Sequence, residues 1–311
     1  MFAIVGATGN VGYSTSSALL RAGAPVRAIL RDPTKAARLS GLGCQIATAD
    51  LQDATALAKA IGDADTVQII VPVSPRATDP ADDLRRSIES LFQALAQARP
   101  RRVLAISDYG AHVAHDIGMP SVFRGLEARL AQLETQLIVL RSAEHMHNWG
   151  RVIPTAVASG ILPTFQNPVD MAQPTISAPD LGLIAADLLL GPESGKGLEV
   201  IHAEGPRRYS ASDVAAAVSQ LSGRAVHARA VPRSQWQQTF ERTMPASLAN
   251  LLIKANDAKN KGGVVEIAPD AGEVRYGTTS LIDALRPLVQ SQSLQAEATG
   301  RADRETGSSS A

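Results

Sequence analysis

Gly6-Ala7-Thr8-Gly9-Asn10-Val11-Gly12 stands between the apolar run Phe2–Val5 and a helical pattern that starts near Val11. A Gly-x-x-Gly-x-x-Gly turn that joins a strand to a helix is the fingerprint of a dinucleotide-binding fold. Gly6 permits the sharp exit from the strand, Gly9 lets the backbone approach a pyrophosphate, and Gly12 lets the helix pack closely on the strand. The free N–H groups and the positive dipole end of that helix would face the phosphates. The stretch therefore predicts a cofactor site at residues 6–12, and the alternative is a tight turn that binds no ligand.

Strand and helix patterns alternate regularly over the first 142 residues. Strands that are apolar on both faces and alternate with helices indicate a parallel sheet covered on each side. The sequence therefore predicts an α/β fold, a Rossmann-type doubly wound parallel sheet that binds its ligands at the carboxyl ends of the strands. The predicted strands are Phe2–Val5, Val26–Leu30, Cys44–Ala49, Thr66–Val71, Arg102–Ile106 and Gln136–Leu140, and the predicted helices are Val11–Ala22, Pro33–Leu39, Ala54–Ile61, Pro80–Ala98 and Pro120–Leu133.

Beyond residue 142 the alternation becomes irregular, which predicts a small C-terminal α+β lobe over the open edge of the sheet. The predicted helices there are Asn148–Ser159, Leu181–Leu190, Ala211–Leu221, Arg233–Arg242 and Leu281–Val289, and the predicted strands are Leu198–His202 and Val226–Val231. Residues 291–311 are rich in Ser, Ala, Gly, Gln and charge, a composition typical of disorder. The predicted organisation is an NAD(P)-binding Rossmann domain at 1–142, a substrate-side lobe packed on it at 143–290, and a disordered tail at 291–311.

The composition excludes several classes of protein. The 30 basic and 30 acidic residues cancel, so no overall field favours nucleic acid or an anionic membrane, and the basic run Arg99-Pro100-Arg101-Arg102 is expected to be a solvated turn. Cys44 is the only cysteine, which fits a reducing compartment. No apolar run is long enough to span a membrane, and a strand that begins at Phe2 leaves no room for a signal peptide. We therefore expect a cytoplasmic globular protein that acts on a small molecule.

The end of the second strand decides which nicotinamide cofactor is preferred. A carboxylate there accepts hydrogen bonds from the ribose hydroxyl of NAD, whereas an arginine binds the 2′-phosphate of NADP. Arg31 comes first after the strand and Lys35 follows one helical turn later, which favours NADPH. Asp32 is the alternative and would favour NADH, although an aspartate before Pro33 is also a typical helix cap.

Asp50 follows the third strand and is the candidate acceptor for the adenine amino group. The competing interpretation is that Asp50, or Asp53 after it, caps the helix that begins at Ala54. The sequence leaves both interpretations open.

Several motifs resemble the NmrA-like atypical short-chain dehydrogenase/reductases, over residues 1–290. They are Gly-Ala-Thr-Gly-Asn-Val-Gly, Val26–Pro33, Leu140-Arg141 with His145-Met146-His147-Asn148, Ser177–Ala186, and Glu204–Ser210. The resemblance implies a Rossmann domain with a small C-terminal lobe and NADPH as cofactor. Members of that family include quinone and azo-dye reductases, isoflavone-type reductases, and regulators that sense NAD(P) without turnover.

The chain departs from the family's relatives at the catalytic residues. Typical short-chain reductases use Tyr-x-x-x-Lys, in which the lysine lowers the pKa of a tyrosine that protonates the carbonyl oxygen. Here Val113 stands four residues after Tyr109, and the helix Pro120–Leu133, where isoflavone-type relatives carry a lysine, contains none. Ordinary ketone reduction by the usual mechanism is therefore not expected.

The candidates for contact with the acceptor follow the fifth and sixth strands. Ser107, Asp108 and Tyr109 could each hydrogen-bond an acceptor or simply form the loop, and Ser107 is also a candidate cofactor contact. His145 and His147 are candidate donors from the loop after the sixth strand, or structural histidines. The two histidines have no third ligand nearby in the sequence, so no metal site is predicted.

Two functions follow from these features. The first is an NAD(P)H-dependent reductase that transfers hydride to a quinone-like or conjugated acceptor, whose product anion takes its proton from solvent. The second is a non-catalytic NADP(H)-binding redox sensor, which the missing Tyr/Lys pair favours. The identity of the acceptor and the oligomeric state are not encoded in any motif.

Overall fold

The computed structural model describes residues 1–74, 77–193, 195–269 and 271–291. Its strands are β1 (Phe2–Val5), β2 (Val26–Leu30), β3 (Gln45–Thr48), β4 (Thr66–Ile69), β5 (Arg102–Asp108), β6 (Gln136–Ser142), β7 (Glu144–His145), β8 (Ile161–Thr164), β9 (Thr175–Ile176), β10 (Gly197–Glu204), β11 (His227–Ala230) and β12 (Glu273–Tyr276). Its α-helices are α1 (Asn10–Arg21), α2 (Ala37–Ser40), α3 (Ala54–Ile61), α4 (Pro80–Ala98), α5 (Met119–Leu130), α6 (Ile153–Ser159), α7 (Ala178–Leu190), α8 (Ala211–Ser222), α9 (Trp236–Glu241), α10 (Ala246–Asn260) and α11 (281–291). Short 3₁₀ helices cover Pro33–Lys35, Met146–Arg151 and Arg233–Gln235.

Within the described residues, one sheet of eight strands forms the centre of the molecule, in the order β3-β2-β1-β4-β5-β6-β10-β12. Every neighbouring pair in this sheet is parallel. All carboxyl ends of its strands therefore lie along one edge, and the strand order reverses between β1 and β4, where open α/β sheets bind their ligands. The predicted α/β, Rossmann-type fold class is confirmed.

Helices cover both faces of the sheet, as the apolar strands require. Helices α3, α4 and α5 contribute Leu57, Leu91 and Leu126 to the core on one face. Helices α1 and α7 contribute Leu19 and Leu181 to the core on the other face. Helices α1, α3, α4 and α5 follow strands of this sheet and therefore begin on the side of its carboxyl edge.

The chain after residue 142 contributes to the same sheet rather than only covering it. Strand β10 pairs along the whole of β6, and β12 pairs with β10, so two strands of the second part extend the sheet that the first part begins. A separate cluster of α6, α8 and α11 packs around Ile153, Val218 and Leu285. The predicted division at residue 142 stays a proposal about domain organisation. The predicted disorder of the tail concerns residues 292–311, which lie outside the described residues, while residue 291 ends α11.

Candidate functional site

The three glycines of the turn after β1 have different surroundings. Gly6 has a φ of +78°, a left-handed conformation that favours glycine, and a Cβ there would lie 2.5 Å from Cγ2 of Ile70. A Cβ on Gly12 would lie 2.6 Å from the Gly6 carbonyl oxygen, so helix α1 rests directly on the turn. Gly9 is exposed, and a Cβ there would meet only the Gly6 carbonyl oxygen, at 3.6 Å. Gly6 and Gly12 therefore shape the turn, and the space in front of Gly9 is open to a ligand.

The first turn of α1 is free to bind an anion. Gly9 is the N-cap residue, and within the described residues no side chain caps this end and no acidic residue lies in its first turn. Thr8 and Asn10 are exposed, while Val11 and Gly12 are buried. The backbone N–H groups at this end and the positive end of the helix dipole suit a pyrophosphate. The residues present thus fit the phosphates of a dinucleotide.

The residues after β2 include two exposed cations and one helix-capping carboxylate. Arg31 and Lys35 are both exposed at the carboxyl edge. The carboxylate of Asp32 accepts hydrogen bonds from the Thr34 N–H, at 3.0 Å, and from the Thr34 hydroxyl, at 2.6 Å. These bonds, the hydroxyl first, hold the pKa of Asp32 below its ordinary value. The Asp32 carboxylate therefore serves as a cap, whereas the exposed side chains of Arg31 and Lys35 are accessible to a ligand.

The residues after β3 divide in the same way. Asp53 caps α3 by accepting a hydrogen bond from the Ala56 N–H at 2.9 Å. Asp50 accepts from the Gln52 N–H at 2.9 Å and is otherwise exposed. Of the two carboxylates that the sequence left open, Asp53 caps the helix and Asp50 closes a local turn.

The strand order indicates how a dinucleotide would lie across this edge. Arg31 and Asp50 follow β2 and β3, on one side of the glycine turn, and these are the candidate contacts to the adenosine half. The nicotinamide half must then extend the other way, across β4 toward β5 and β6. Neighbouring strands lie about 4.8 Å apart, so β5 is about 10 Å from β1. The ends of β5 and β6 are therefore where an acceptor would meet the cofactor.

A buried ion pair underlies the ends of β5 and β6. The Ser107 hydroxyl donates to the Glu127 carboxylate at 2.5 Å, and Arg141 donates to both oxygens of Glu127, at 3.0 and 2.7 Å. Glu127 lies on α5 and Arg141 on β6, so this pair ties the helix to the sheet. Ser107, a predicted cofactor contact, is buried, and its hydroxyl hydrogen is engaged by Glu127.

Tyr109 is enclosed rather than exposed to the edge. It is 1% exposed, and its ring meets the ring of His202 edge to face, with centroids 5.3 Å apart. Burial and then the charge of Glu204 raise the pKa of the Tyr109 phenol above its ordinary value. Glu204 is near enough to act on the phenol electrostatically, but the hydroxyl makes no hydrogen bond of good geometry within the described residues. Tyr109 thus lacks both the access and the lowered pKa of a catalytic tyrosine.

His145 and His147 lie after β6, partly exposed. Burial is the main cause that lowers the pKa of His145 to about 4, followed by the nearby charge of His147, while Glu144 opposes both. Burial also lowers the pKa of His147. Both imidazoles are therefore neutral near pH 7, which suits them to donate a hydrogen bond but not to deliver a proton as imidazolium.

A lysine that no sequence motif indicated reaches this edge from α10. Lys259 donates a hydrogen bond to Glu144, which begins β7, and the side chains are 20% and 42% exposed. Burial lowers the pKa of Lys259, but the Glu144 carboxylate and, to a smaller extent, Asp108 together more than offset this, so the pKa is raised and the ammonium is retained. Lys259 and Glu144 also act electrostatically on Asp108, the last residue of β5. We call Asp108, Glu144, His145 and Lys259 the polar cluster; each of its members keeps some solvent contact.

Comparison with known proteins identifies relatives of this chain. Residues 6–149 match the protein family described as NAD(P)H-binding. The chain is 26% identical over 254 residues to an NAD(P)H azoreductase of Xenophilus azovorans, covering 81% of this chain and 85% of that protein. It is 23% identical over 292 residues to quinone oxidoreductase 2 of Escherichia coli, covering 93% and 98%. These matches fit the resemblance to the NmrA-like atypical short-chain dehydrogenase/reductases. The predicted recognition, and the nicotinamide class of cofactor, are confirmed.

Solved structures share the fold of this chain. The NADPH-dependent quinone oxidoreductase of Escherichia coli, complexed with NADPH, superimposes with a TM-score of 0.75 at 22% identity, over 93% of this chain and 99% of that one. The triphenylmethane reductase of a Citrobacter species, complexed with NADP(H), gives a TM-score of 0.74 at 18% identity, over 92% and 99%. At these identities the superpositions establish the fold. Together with the sequence relatives, the matches support an NAD(P)H-dependent oxidoreductase.

Among the described residues, no helix is both long and apolar enough to cross a bilayer. In the same part of the chain, His, Cys, Asp and Glu side chains form no group of three or more that could hold a metal ion.

Proposed function

We propose that this protein is an NADPH-dependent reductase that transfers hydride to a quinone-like or otherwise conjugated small acceptor. The observation that carries the proposal is the open space in front of Gly9, beside the N-terminus of α1, which no side chain caps among the described residues. The strand order supports a cofactor whose nicotinamide half extends toward the polar cluster. Bound NADPH would supply the hydride. The residues of this chain would hold the phosphates and orient the acceptor.

Two observations favour a conjugated acceptor over a simple ketone. Tyr109 is buried and its pKa is raised, so the usual tyrosine acid is not in place. Hydride addition to a quinone or azo group yields a delocalised anion, which is already stabilised, so the step depends less on a protein acid than the formation of an alkoxide does. Relatives of this chain include an azoreductase and a quinone oxidoreductase, and a triphenylmethane reductase shares its fold, so acceptors of this electronic type are the first to test.

NADPH is the proposed cofactor rather than NADH. Arg31 and Lys35 are exposed after β2, and the carboxylate that would favour NADH, on Asp32, is engaged by Thr34. Guanidinium and ammonium groups suit a 2′-phosphate.

The test is to follow NADPH oxidation by absorbance with a panel of quinones, azo dyes, triphenylmethane dyes and enones. We expect turnover with at least one conjugated acceptor and none with simple aliphatic ketones. A Gly9→Val protein, purified identically, controls for contaminating reductases, since a side chain there occupies the phosphate space.

The second candidate is an NADP(H) sensor without turnover, which the enclosure of Tyr109 favours. It predicts tight NADPH binding together with no oxidation of NADPH by any acceptor of the panel. That combination of results would replace the reductase with the sensor.

A further inference from the structure

Asp108 occupies a position that the proposed function does not yet use. It ends β5 at the carboxyl edge, opposite Ser142 of β6, and its side chain is partly exposed. Within the described residues its carboxylate takes part in no ion pair of salt-bridge distance, although charged groups surround it. A carboxyl group that is partly exposed at this edge and bound to no counter-ion among the described residues can exchange a proton with solvent.

Charged groups face Asp108 from three other elements. Lys259 on α10 attracts its negative charge, Glu144 at β7 repels it, and Glu127 on α5 repels it more weakly. Glu144 is bonded to Lys259, and Glu127 to Arg141, so each repelling carboxylate carries its own cation. Neither of those cations is left to neutralise Asp108 fully.

The surroundings leave Asp108 as a proton carrier near neutral pH. Burial is the main cause that raises the pKa of Asp108 to about 7. The charge of Lys259 opposes this shift, and the charge of Glu144 adds to it. A group of that pKa is both protonated often enough and acidic enough to act as a general acid at neutral pH.

The other titratable groups at this edge are less suited to that role. Tyr109 is buried with a raised pKa, and His145 and His147 are neutral. Lys259 is held as an ammonium by Glu144. Of these described groups, Asp108 is the one that exchanges its proton near neutral pH.

We propose that Asp108 is the general acid of this site, and that the Glu144–Lys259 ion pair positions it and sets its charge. The inference rests on the proposed reductase function. When hydride has reached a quinone, a negative charge develops on an acceptor oxygen. The O–H bond of Asp108 then breaks, a new O–H bond forms on that oxygen, and the electron pair stays on the carboxylate. Solvent water returns a proton to Asp108, which is partly exposed, so one hydride and one proton convert the quinone to the hydroquinone.

The test measures kcat/KM for one quinone against pH in the wild type and in Asp108→Asn, with NADPH binding measured in parallel. The wild-type value should fall above an apparent pKa near 7, because kcat/KM reports the free enzyme's acid. Below that pH, kcat/KM of Asp108→Asn should be lower than that of the wild type by about 10²-fold or more. The variant should lack the descending limb of the pH profile near pH 7 and should retain its NADPH affinity. Glu134→Gln, an exposed residue before β6 at the opposite edge, is the control and should reproduce the wild-type profile.

Two variants of the Glu144–Lys259 ion pair should shift the descending limb of the kcat/KM profile in opposite directions along the pH axis. Lys259→Met removes the attracting cation and leaves Glu144 unpaired, so the limb should move to higher pH. Glu144→Gln leaves the cation uncompensated, so the limb should move to lower pH. Loss of structure alone would not move the limb in opposite directions.

A readout independent of turnover is the infrared titration of the carboxyl C=O stretch in the protein loaded with NADP⁺. A carboxyl signal that titrates near pH 7 in the wild type and is missing in Asp108→Asn supports the proposal. Turnover with a pH profile that Asp108→Asn does not change overturns it while leaving the reductase function in place. Absence of turnover by the wild type at every pH overturns the reductase function, and with it this role for Asp108.

Discussion

Gly9 and Gly12 belong to one turn, yet the chain uses them differently. A side chain on Gly12 would collide with backbone atoms of residues 6 and 7, whereas a side chain on Gly9 would meet only open space and one ordinary contact. The N-cap φ of −77° at Gly9 is accessible to any residue. Substitutions at these glycines therefore separate ligand binding from folding.

Gly9→Val should abolish NADPH binding and leave the thermal unfolding temperature of the protein without ligand nearly unchanged. The branched side chain would fill the space that a pyrophosphate needs. Isothermal titration and thermal melts check the two halves of the prediction. Gly12→Ala is the contrasting variant and should lower the melting temperature, because its Cβ has no room. Undiminished NADPH affinity in folded Gly9→Val would place the phosphates elsewhere.

Arg31→Ala should weaken NADPH binding by about tenfold or more, the usual worth of a hydrogen bond to a charged group, and barely change NADH binding. The reason is that only NADPH carries the 2′-phosphate. Dissociation constants for both cofactors check the prediction, with Arg21→Ala, exposed at the far end of α1, as the control. Equal losses for the two cofactors would give Arg31 a structural role.

Tyr109→Phe should reduce kcat/KM for a quinone by less than about tenfold, below the usual 10²–10⁴-fold contribution of a general acid. The phenol is buried and its pKa is raised, so it has no route to the acceptor. The double variant His145→Ala, His147→Ala should lower kcat/KM at least as much as Tyr109→Phe does, because the acceptor would lose hydrogen bonds from both imidazoles. A thousandfold loss in Tyr109→Phe alone would restore a tyrosine acid and, with it, ketone reduction.

Helices α1 and α7 pack so closely that their backbones are in contact. A Cβ on Gly182 of α7 would lie 2.5 Å from the Val11 carbonyl oxygen. At the same place the Thr15 hydroxyl donates to the carbonyl oxygens of Val11, at 3.0 Å, and Gly182, at 3.1 Å. The second half of the chain therefore buttresses the helix on which the cofactor's phosphates would rest.

Gly182→Ala should lower the free energy of unfolding by about 1–3 kcal/mol, the usual cost of overpacking. Denaturant unfolding measures it. Gly125→Ala is the matched control, because Gly125 is exposed on α5 and a Cβ there meets nothing within 4 Å. That change should instead stabilise the protein by about 0.5–1 kcal/mol. A neutral Gly182→Ala would mean that the two helices can separate at little cost.

The sequence predicted those elements whose signal is local. The strands β1 and β2 and the helices α3 and α4 have their predicted ends, because apolar runs and caps mark them. Helix α10 was missed, since Pro245 precedes it without a side-chain cap among the described residues, although Leu248, Leu251, Leu252 and Ala255 follow helical spacing. Missing α10 also meant missing Lys259.

Contacts between distant parts of the chain were beyond sequence reasoning. Arg102, expected in a solvated turn, is buried and donates to the carbonyl oxygens of Leu189 and Gly191, at 2.9 and 3.0 Å, where α7 ends. Glu127 and Arg141 lie on separate elements, and only the fold makes them a pair. The glycine turn was recognisable because its chemistry lies within a few consecutive residues, whereas the polar cluster joins residues 108, 144, 145 and 259.

For the whole molecule, the pH dependence of stability should contain two opposing contributions. The folded-state pKa of Asp108 is raised from 3.8 to about 7, so its contribution is fully present below 3.8 and is lost as pH rises through about 7. The folded-state pKa of His145 is lowered from 6.5 to about 4, so its contribution grows as pH rises from about 4 to 6.5.

Asp108→Asn should therefore be more stable than the wild type near pH 8, with the difference shrinking toward pH 4. His145→Asn should show a steeper loss of stability with rising pH than the wild type. Denaturant unfolding at a series of pH values measures both slopes. Parallel curves for wild type and Asp108→Asn would mean that the carboxyl titrates alike in the folded and unfolded chains.

The order of strands in the sheet also affects how the chain is synthesised. β6 is buried along its whole length, but its neighbour β10 begins only at Gly197, 55 residues after Ser142. At the usual ribosomal rate of about 5–20 residues per second, β6 waits about 3–11 seconds for its partner. During that interval the nascent chain presents an unpaired apolar edge, which invites chaperone binding or pairing with another nascent chain. Slow translation between β6 and β10 would lengthen that exposure, and codon choice in this interval should accordingly affect the yield of native protein.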